Sequence, residues 1–247
     1  MKILGLDSSG MVASVAVMED DVLLAEYTVN YKKTHSQTLL PMLDAVAKMT
    51  ELDLETVDAI AVAAGPGSFT GLRIGSSTAK GLGLALEKPV IAVPTVDALA
   101  CNLFDTQGLI CPIMDARRRQ VYTGIYRFEN HCLKVIQEQE AVAIEEVAQQ
   151  LNRLKEPVTF LGDGVPVFRE SLEELLEVPF AFAPAHLSRQ RAGAVAALGG
   201  IYYKEGRLES AEEHVPTYLR VSQAERERAK KLAAGLKMET ETERAGT

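Results

Sequence analysis

Two aspartates, two glycine turns and a run of arginines are the residues of this chain whose types and spacing could do chemistry. Asp7 closes the apolar run Lys2-Ile3-Leu4-Gly5-Leu6 and is followed by Ser8 and Ser9. An aspartate at a strand end can hold a metal-bound water beside a phosphate; it can also cap a turn with its own backbone, which is the simpler role. Asp115 closes a second apolar run, Leu109–Met114, ahead of Arg117, Arg118 and Arg119. Those cations suit a phosphate, an acidic partner or a solvated loop. Gly65-Pro66-Gly67 separates a buried-looking strand from a helical pattern, so free backbone N–H groups and the helix dipole would point outward together as an anion cradle. Gly162-Asp163-Gly164 is a similar but commoner turn. Asp7, Ser8, Gly65, Gly67, Asp115, Gly162 and Gly164 are thus the candidate nucleotide-binding residues. No catalytic residue is assigned. His35, His131, His186 and His214 include no pair at ligand spacing, so no metal site and no cofactor are expected. No serine or cysteine sits in a triad context, which leaves a peptidase without support.

The helix that follows the first glycine turn is unusual. Its pattern runs Thr70–Leu86 with Gly71, Gly75, Gly81 and Gly83 inside. Each interior glycine costs roughly 1 kcal/mol relative to alanine, so the four together cost about 4 kcal/mol. Something must offset that. Gly71, Gly75, Ala79 and Gly83 recur every fourth residue as one stripe with almost no side chain. Such a stripe lets another backbone come close, either from the protein's own sheet or from a second protein. Arg73 lies near the helix start, where the dipole disfavours a cation, so a carboxylate or anion partner is expected; an exposed arginine with its stem on the surface is the alternative. The preceding helix, Ser36–Met49, carries Leu39, Met42, Leu43, Val46 and Met49 on one face, with Ser36 or Thr38 as cap and Pro41 near its first turn. That stripe reads as core. Beside the small-residue face it would also form half of a helical interface, and homodimer and heterodimer would compete for it.

These residues are placed by a pattern that occurs twice. Lys2–Leu6, Ala13–Met18 and Val22–Val29 are matched by Leu109–Met114, Val121–Phe128 and Cys132–Gln137. Helix Ser36–Met49, strand Asp58–Ala64, helix Thr70–Leu86, strand Val90–Val93 and helix Val96–Phe104 are matched by Ile144–Leu154, Val158–Leu161, Val167–Leu176, Phe180–Ala183 and Arg189–Lys204. Each half reads β-β-β-α-β-α-β-α, a mixed sheet with helices on its faces. The expectation is two lobes, 1–106 and 107–220, with a cleft between them. A charged helix at Gln223–Lys231 and a disordered tail from Met238 would make up 221–247. With 247 residues, 47% of them hydrophobic, the chain has ample core, and no apolar run is long enough to span a bilayer. Its formal charge of −8 argues against a broad nucleic-acid surface on this chain alone. Cys101, Cys111 and Cys132, odd in number and without a CxxC pair, fit a reducing cytoplasm.

The duplicated unit with an aspartate ending its first strand resembles the ribonuclease H-like, actin-like ATPase (ASKHA) fold shared by sugar kinases and Hsp70. Sugar kinases place a glycine two residues after that aspartate; here the position holds Ser9 and glycine comes only at Gly10. Five stretches resemble the TsaB (YeaZ) family over residues 1–220: Gly5 to Ser9, His35 to Pro41, Gly65 to Arg73, Asp115 to Tyr122 and Pro216 to Arg220. That resemblance implies a cytoplasmic accessory protein of tRNA threonylcarbamoyladenosine synthesis. It binds the catalytic sister TsaD and, in a ternary complex, the ATPase TsaE, meets tRNA only through the complex, has no membrane association, and also forms homodimers. The family's partners meet through the N-terminal-lobe helices, which makes Leu39, Met42, Leu43, Val46, Gly71, Gly75, Ala79 and Gly83 the expected interface. The TsaD family holds its metal with two histidines one helical turn apart; the corresponding stretch, Val93 to Ala100, has none. A stand-alone ATPase or small-molecule kinase using Asp7 and the two glycine turns is the alternative.

Overall fold

The computed structural model describes residues 1–31 and 34–220. The expected helix at Gln223–Lys231 and the tail from Met238 lie outside the described residues. β1 (Lys2–Asp7), buried from Ile3 onward, runs down the middle of a five-stranded sheet. It pairs antiparallel with β2 (Ala13–Glu19) and parallel with β4 (Ala59–Gly65). β3 (Val22–Val29) and β5 (Val90–Pro94) form the edges, giving the order β3-β2-β1-β4-β5. The second half repeats this with β6 (Leu109–Asp115), β7 (Gln120–Glu129), β8 (Cys132–Ala143), β9 (Val158–Leu161) and β10 (Phe180–Phe182), in the order β8-β7-β6-β9-β10. Identical order in two sheets is the duplication that the sequence repeat predicted. β8 extends six residues beyond the expected Gln137, to Ala143, because its pairing with β7 continues to Gln120.

Both faces of the first sheet are covered, and the two-residue period of a strand sorts its residues by size. Leu4, Leu6, Ile60 and Val62 meet α1 (His35–Met49) and α2 (Phe69–Leu86). Ile3, Ala59, Ala61 and Ala63 meet α6 (Ala192–Lys204) on the other face. Where α6 crosses β1 and β4 most closely, at Gly5 and Ala61, only small residues fit. A Cβ on Gly199 would lie 2.5 Å from the Ala61 Cβ, and one on Gly5 would lie 2.4 Å from the Ala192 carbonyl oxygen.

α6 therefore belongs by packing to the first sheet, although its sequence lies in the second repeat. α3 (Thr95–Ala100) bridges the halves: its Ala98 packs with the first sheet, whereas its Val96, Leu99 and Ala100 join Ile110, Met114, Tyr126 and Leu161 of the second half. α4 (Ile144–Leu154) and α5 (Val165–Leu175) cover the remaining face of the second sheet. A cut at residues 106/107 thus divides the sequence repeat but not the packing. This bridging places polar groups inside the lobe junction: the buried Tyr126 hydroxyl donates to Asp97 Oδ1 at 2.7 Å. Burial raises the Asp97 pKa, an effect that the Tyr126 bond opposes. Replacing Tyr126 by Phe leaves that carboxylate without its donor, so Tyr126→Phe is expected to cost about 1–3 kcal/mol. Urea denaturation measures this, and an unchanged midpoint would refute a role for the pair in joining the halves.

Candidate functional site: a cleft between the halves beside an exposed helix pair

A cavity of about 450 Å³ lies between the halves, lined by Ser9, Gly10, His35, Gly67, Asp115, Asp163 and Tyr218 among others. Of the candidate nucleotide residues, Gly67 and Asp115 reach it directly; Asp7, Ser8, Gly65, Gly162 and Gly164 form the layer behind. Asp7 is almost wholly buried. Its Oδ1 accepts from the Ser9 N–H at 2.8 Å and the Ser9 hydroxyl at 2.6 Å, the geometry of an aspartate capping its own turn. Burial pushes Asp7 up to about 6, against the pull of both Ser9 bonds. Asp163 is also raised by burial, with Arg189 opposing. Among the described residues, Asp163 Oδ1 and His35 Nδ1 are buried without a hydrogen-bond partner.

The anion cradle expected at Gly65-Pro66-Gly67 is occupied by the chain itself. The Ser68 N–H donates to the Ser9 carbonyl at 2.7 Å, and a Cβ on Gly67 would lie 2.3 Å from that same oxygen. On the other side the Thr217 carbonyl oxygen lies 2.1 Å from where a Gly65 Cβ would be. Gly65 has φ of +125°, which already favours glycine. Its N–H goes to the Thr95 hydroxyl at 3.1 Å. Ser68 caps α2, its Oγ accepting from the Gly71 N–H at 3.3 Å. The second turn is closed in the same manner: the Gly164 N–H donates to Ile113 O at 3.0 Å, and Gly162 N–H to Ser188 O at 3.0 Å.

The expected interface residues are placed differently from the sequence reading. Gly71, Gly75, Ala79 and Gly83 all face inward. A Cβ on Gly71 would meet Ser8 O at 2.1 Å, one on Gly75 would meet Ser8 Oγ at 2.6 Å, and one on Gly83 would meet Ala211 Cβ at 2.8 Å. The stripe admits a close backbone, as its composition required, but that backbone is the molecule's own. Leu39, Met42, Leu43 and Val46 lie in the core beneath α1. All eight residues expected at the interface are therefore buried, and of them Leu39 alone lines the groove that opens between α1 and α2. Sequence reasoning missed the residues that do face outward. Leu40 is 54% exposed. A groove between α1 and α2 is lined by Leu39, Leu40, Thr70, Arg73, Ile74 and Ser77 among others, and among the described residues nothing lies within 4 Å of a Cβ on Gly81. The turn of the helix opposite the apolar stripe was the available signal. Two cap details also differ: Thr34 holds the α1 cap position without a capping bond, and Pro41 sits in the second turn rather than the first.

Among the described residues Arg73 pairs with no carboxylate. Its guanidinium lies over the Phe69 ring at 4.0 Å and its Nε donates to the Tyr218 hydroxyl at 3.3 Å. Arg117, Arg118 and Arg119 are all left-handed, with φ of 66°, 58° and 58°. Arg117 pairs with Asp115 at 3.2 Å and Arg119 with Glu145, so two of these cations are matched within the chain. Burial pushes the thiols of Cys101 and Cys111 up to about 12, which keeps both from acting as thiolate nucleophiles at neutral pH. Among the described residues, no helix is long and apolar enough to cross a membrane.

Two copies of one mixed-sheet unit, facing each other across a cleft with an aspartate at the end of each leading strand, define a duplicated ribonuclease H-like lobe pair of the actin-like class. The profile of the family described as "TsaD: tRNA N6-adenosine threonylcarbamoyltransferase" matches residues 22–228. The "tRNA threonylcarbamoyladenosine biosynthesis protein TsaB" of Bacillus subtilis is 35% identical over 227 residues, spanning 91% of this chain and 96% of that protein. The Escherichia coli protein of the same name is 31% identical over 167 residues, 66% of this chain and 72% of its own. YeaZ from Pseudomonas aeruginosa superposes with a TM-score of 0.76 at 28% identity, over 88% of this chain and 99% of that one. A further Pseudomonas aeruginosa structure, described as an uncharacterized protein with similarity to peptidase YEAZ, gives 0.77 at 29% identity over 89% and 99%. The chain belongs to the TsaD family that this profile describes, and within it to the TsaB (YeaZ) proteins.

Proposed function

We propose that this chain is a non-catalytic partner of a TsaD-type enzyme in tRNA threonylcarbamoyladenosine formation. In this reading it binds TsaD, joins TsaE in a ternary complex, and supports transfer of the threonylcarbamoyl group to the adenosine next to the anticodon of tRNAs reading codons that begin with A. tRNA is met through the complex, and a homodimer uses the same helices. The observation that carries the reading is the glycine turn of the cleft, against whose two glycines the backbone oxygens of Ser9 and Thr217 pack, with the Ser68 N–H already bonded to Ser9. A lobe pair whose glycine turn is packed by its own backbone fits a scaffold better than a kinase.

The partner surface in this proposal is the outward face of α1 and α2, centred on Leu40, Thr70, Arg73, Ile74 and Ser77. An exposed apolar residue beside small polar ones on two adjacent helices suits a four-helix contact with a similar pair. Leu40→Asp and Ser77→Arg change exposed side chains and should leave the melting temperature unchanged. Each is expected to weaken association with TsaD about tenfold or more, as an interface-centre substitution typically does. Size-exclusion chromatography and calorimetry with purified TsaD give the answer; full-strength binding by both variants would reject this surface. A stand-alone ATPase is excluded or revived separately by titrating the isolated chain with ATP and magnesium.

A further inference from the structure

The segment that follows α6 makes contacts with both lobes. After α6 the backbone returns to the first lobe, where Glu209 and Val90 exchange two hydrogen bonds of 2.9 Å each. Lys80 Nζ then donates to the Glu212 and His214 carbonyls at 2.8 and 3.0 Å, and the His214 ring is buried with Nδ1 2.9 Å from Glu209 Oε2. The Thr217 N–H donates to Ala64 O at 2.7 Å, which lays its carbonyl over Gly65. From there the character of the contacts changes. Tyr218 stacks on Phe69 with centroids 4.8 Å apart, and Arg220 crosses to the second lobe, its guanidinium donating to the Ala116 carbonyl and to Arg117 O at 3.4 Å. Thr217 and Tyr218 are exposed, whereas Ala211 and His214 are buried.

The segment is thus firmly rooted up to His214 and held beyond it by a few surface contacts, yet those few contacts are the ones that cover the glycine turn and span the cleft. Segments with few buried contacts open at low free energy while their surroundings stay folded. We propose that Pro216–Arg220 is a releasable strap: seated, it covers the Gly65–Gly67 turn and ties the β6–β7 loop to the first lobe; lifted, it uncovers the turn and unties that loop. The hinge is the stretch between His214 and Thr217, and the latch is the Arg73–Phe69–Tyr218 stack together with Arg220. This inference concerns the isolated chain and does not depend on the partner proposed above.

Hydrogen exchange read by mass spectrometry on the full chain tests it. In the Tyr218→Ala/Arg220→Ala double variant, exchange is expected to rise about tenfold at Thr217 and across the Gly65–Leu72 peptide, while strands β6, β7 and β9 exchange as in the unaltered protein. Tyr218→Phe, which keeps the ring contact and loses only the Arg73 hydrogen bond, should raise exchange at the strap by less than the double variant does. Three results overturn the proposal: no change at the strap, a faster strap with Gly65–Leu72 unaffected, or equal acceleration throughout both sheets. Should the double variant not fold, Arg220→Gln alone is read by the same peptides, where the same expected and overturning patterns apply.

Discussion

Gly71→Val is expected to prevent the first lobe from folding. The α2 helix lies so close to the turn after β1 that Ser8 donates its hydroxyl to the Gly71 carbonyl at 2.8 Å, and a Cβ at Gly71 would sit 2.1 Å from the Ser8 carbonyl oxygen. Neither side can yield. Ser8 is fixed by the end of the central strand, and Gly71 by the cap bond to Ser68. Relieving the clash means moving α2 off the sheet, which would expose Leu72 and Ala79, both fully packed. Overpacking of a rigid site combined with lost burial places the expected cost above about 4 kcal/mol, a large part of the roughly 5–15 kcal/mol that holds a domain together. Gly81 supplies the contrast on the same helix. With nothing within 4 Å of its Cβ, Gly81→Ala should stabilise by about 1 kcal/mol through helix propensity alone. Urea midpoints of the two variants decide the matter. Wild-type stability in Gly71→Val would refute the close approach of α2 to Ser8.

The second large effect concerns pH. Burial lifts Asp7 from 3.8 to about 6 in the folded protein, so folding favours its protonated form. Below about pH 4 both folded and unfolded chains keep the proton and this residue costs nothing. As pH rises from about 4 to about 6, the unfolded chain releases its proton first and stability falls. Above that window the loss is complete, at about 3 kcal/mol for a shift of this size. Asp7→Asn keeps an oxygen to accept both Ser9 bonds and carries no charge to desolvate. It is therefore expected to be more stable than the unaltered protein at pH 7 by up to about 3 kcal/mol, and equal to it near pH 4. Denaturation at a series of pH values separates the two; parallel curves across that range would show that Asp7 is not the group responsible. Asp97 and Asp163 are raised in the same direction and leave a common residual slope in both proteins.

A carboxyl whose Oδ1 is engaged by its own turn is also poorly suited to the phosphate chemistry that an aspartate at this strand end supports in kinases. The same geometry explains why the glycine turn misleads when taken alone. Gly65 and Gly67 are glycines because the carbonyls of Thr217 and Ser9 press against them. Composition records that a close neighbour is needed, not whether that neighbour is a ligand, a partner or the chain itself.

The sequence alone determined the elements and their repetition. Helix α4 begins and ends where its pattern does, and the order of strands and helices in each half follows from periods of two and of 3.6 residues, which are local properties of the backbone. It also determined that Gly71, Gly75, Ala79 and Gly83 share one face. What covers that face, only the tertiary structure decided, because periodicity fixes which residues point together and says nothing of distant chain. The cover comes from Ser8, Val62, Val90 and Ala211, brought together from both ends of the molecule. For the same reason the packing of α3 and α6 across the halves left no mark in a repeat read half by half. Small residues on β4 and α6 signal close packing, but their pairing across the lobe boundary arises only when both hydrophobic faces of each sheet have to be buried at once.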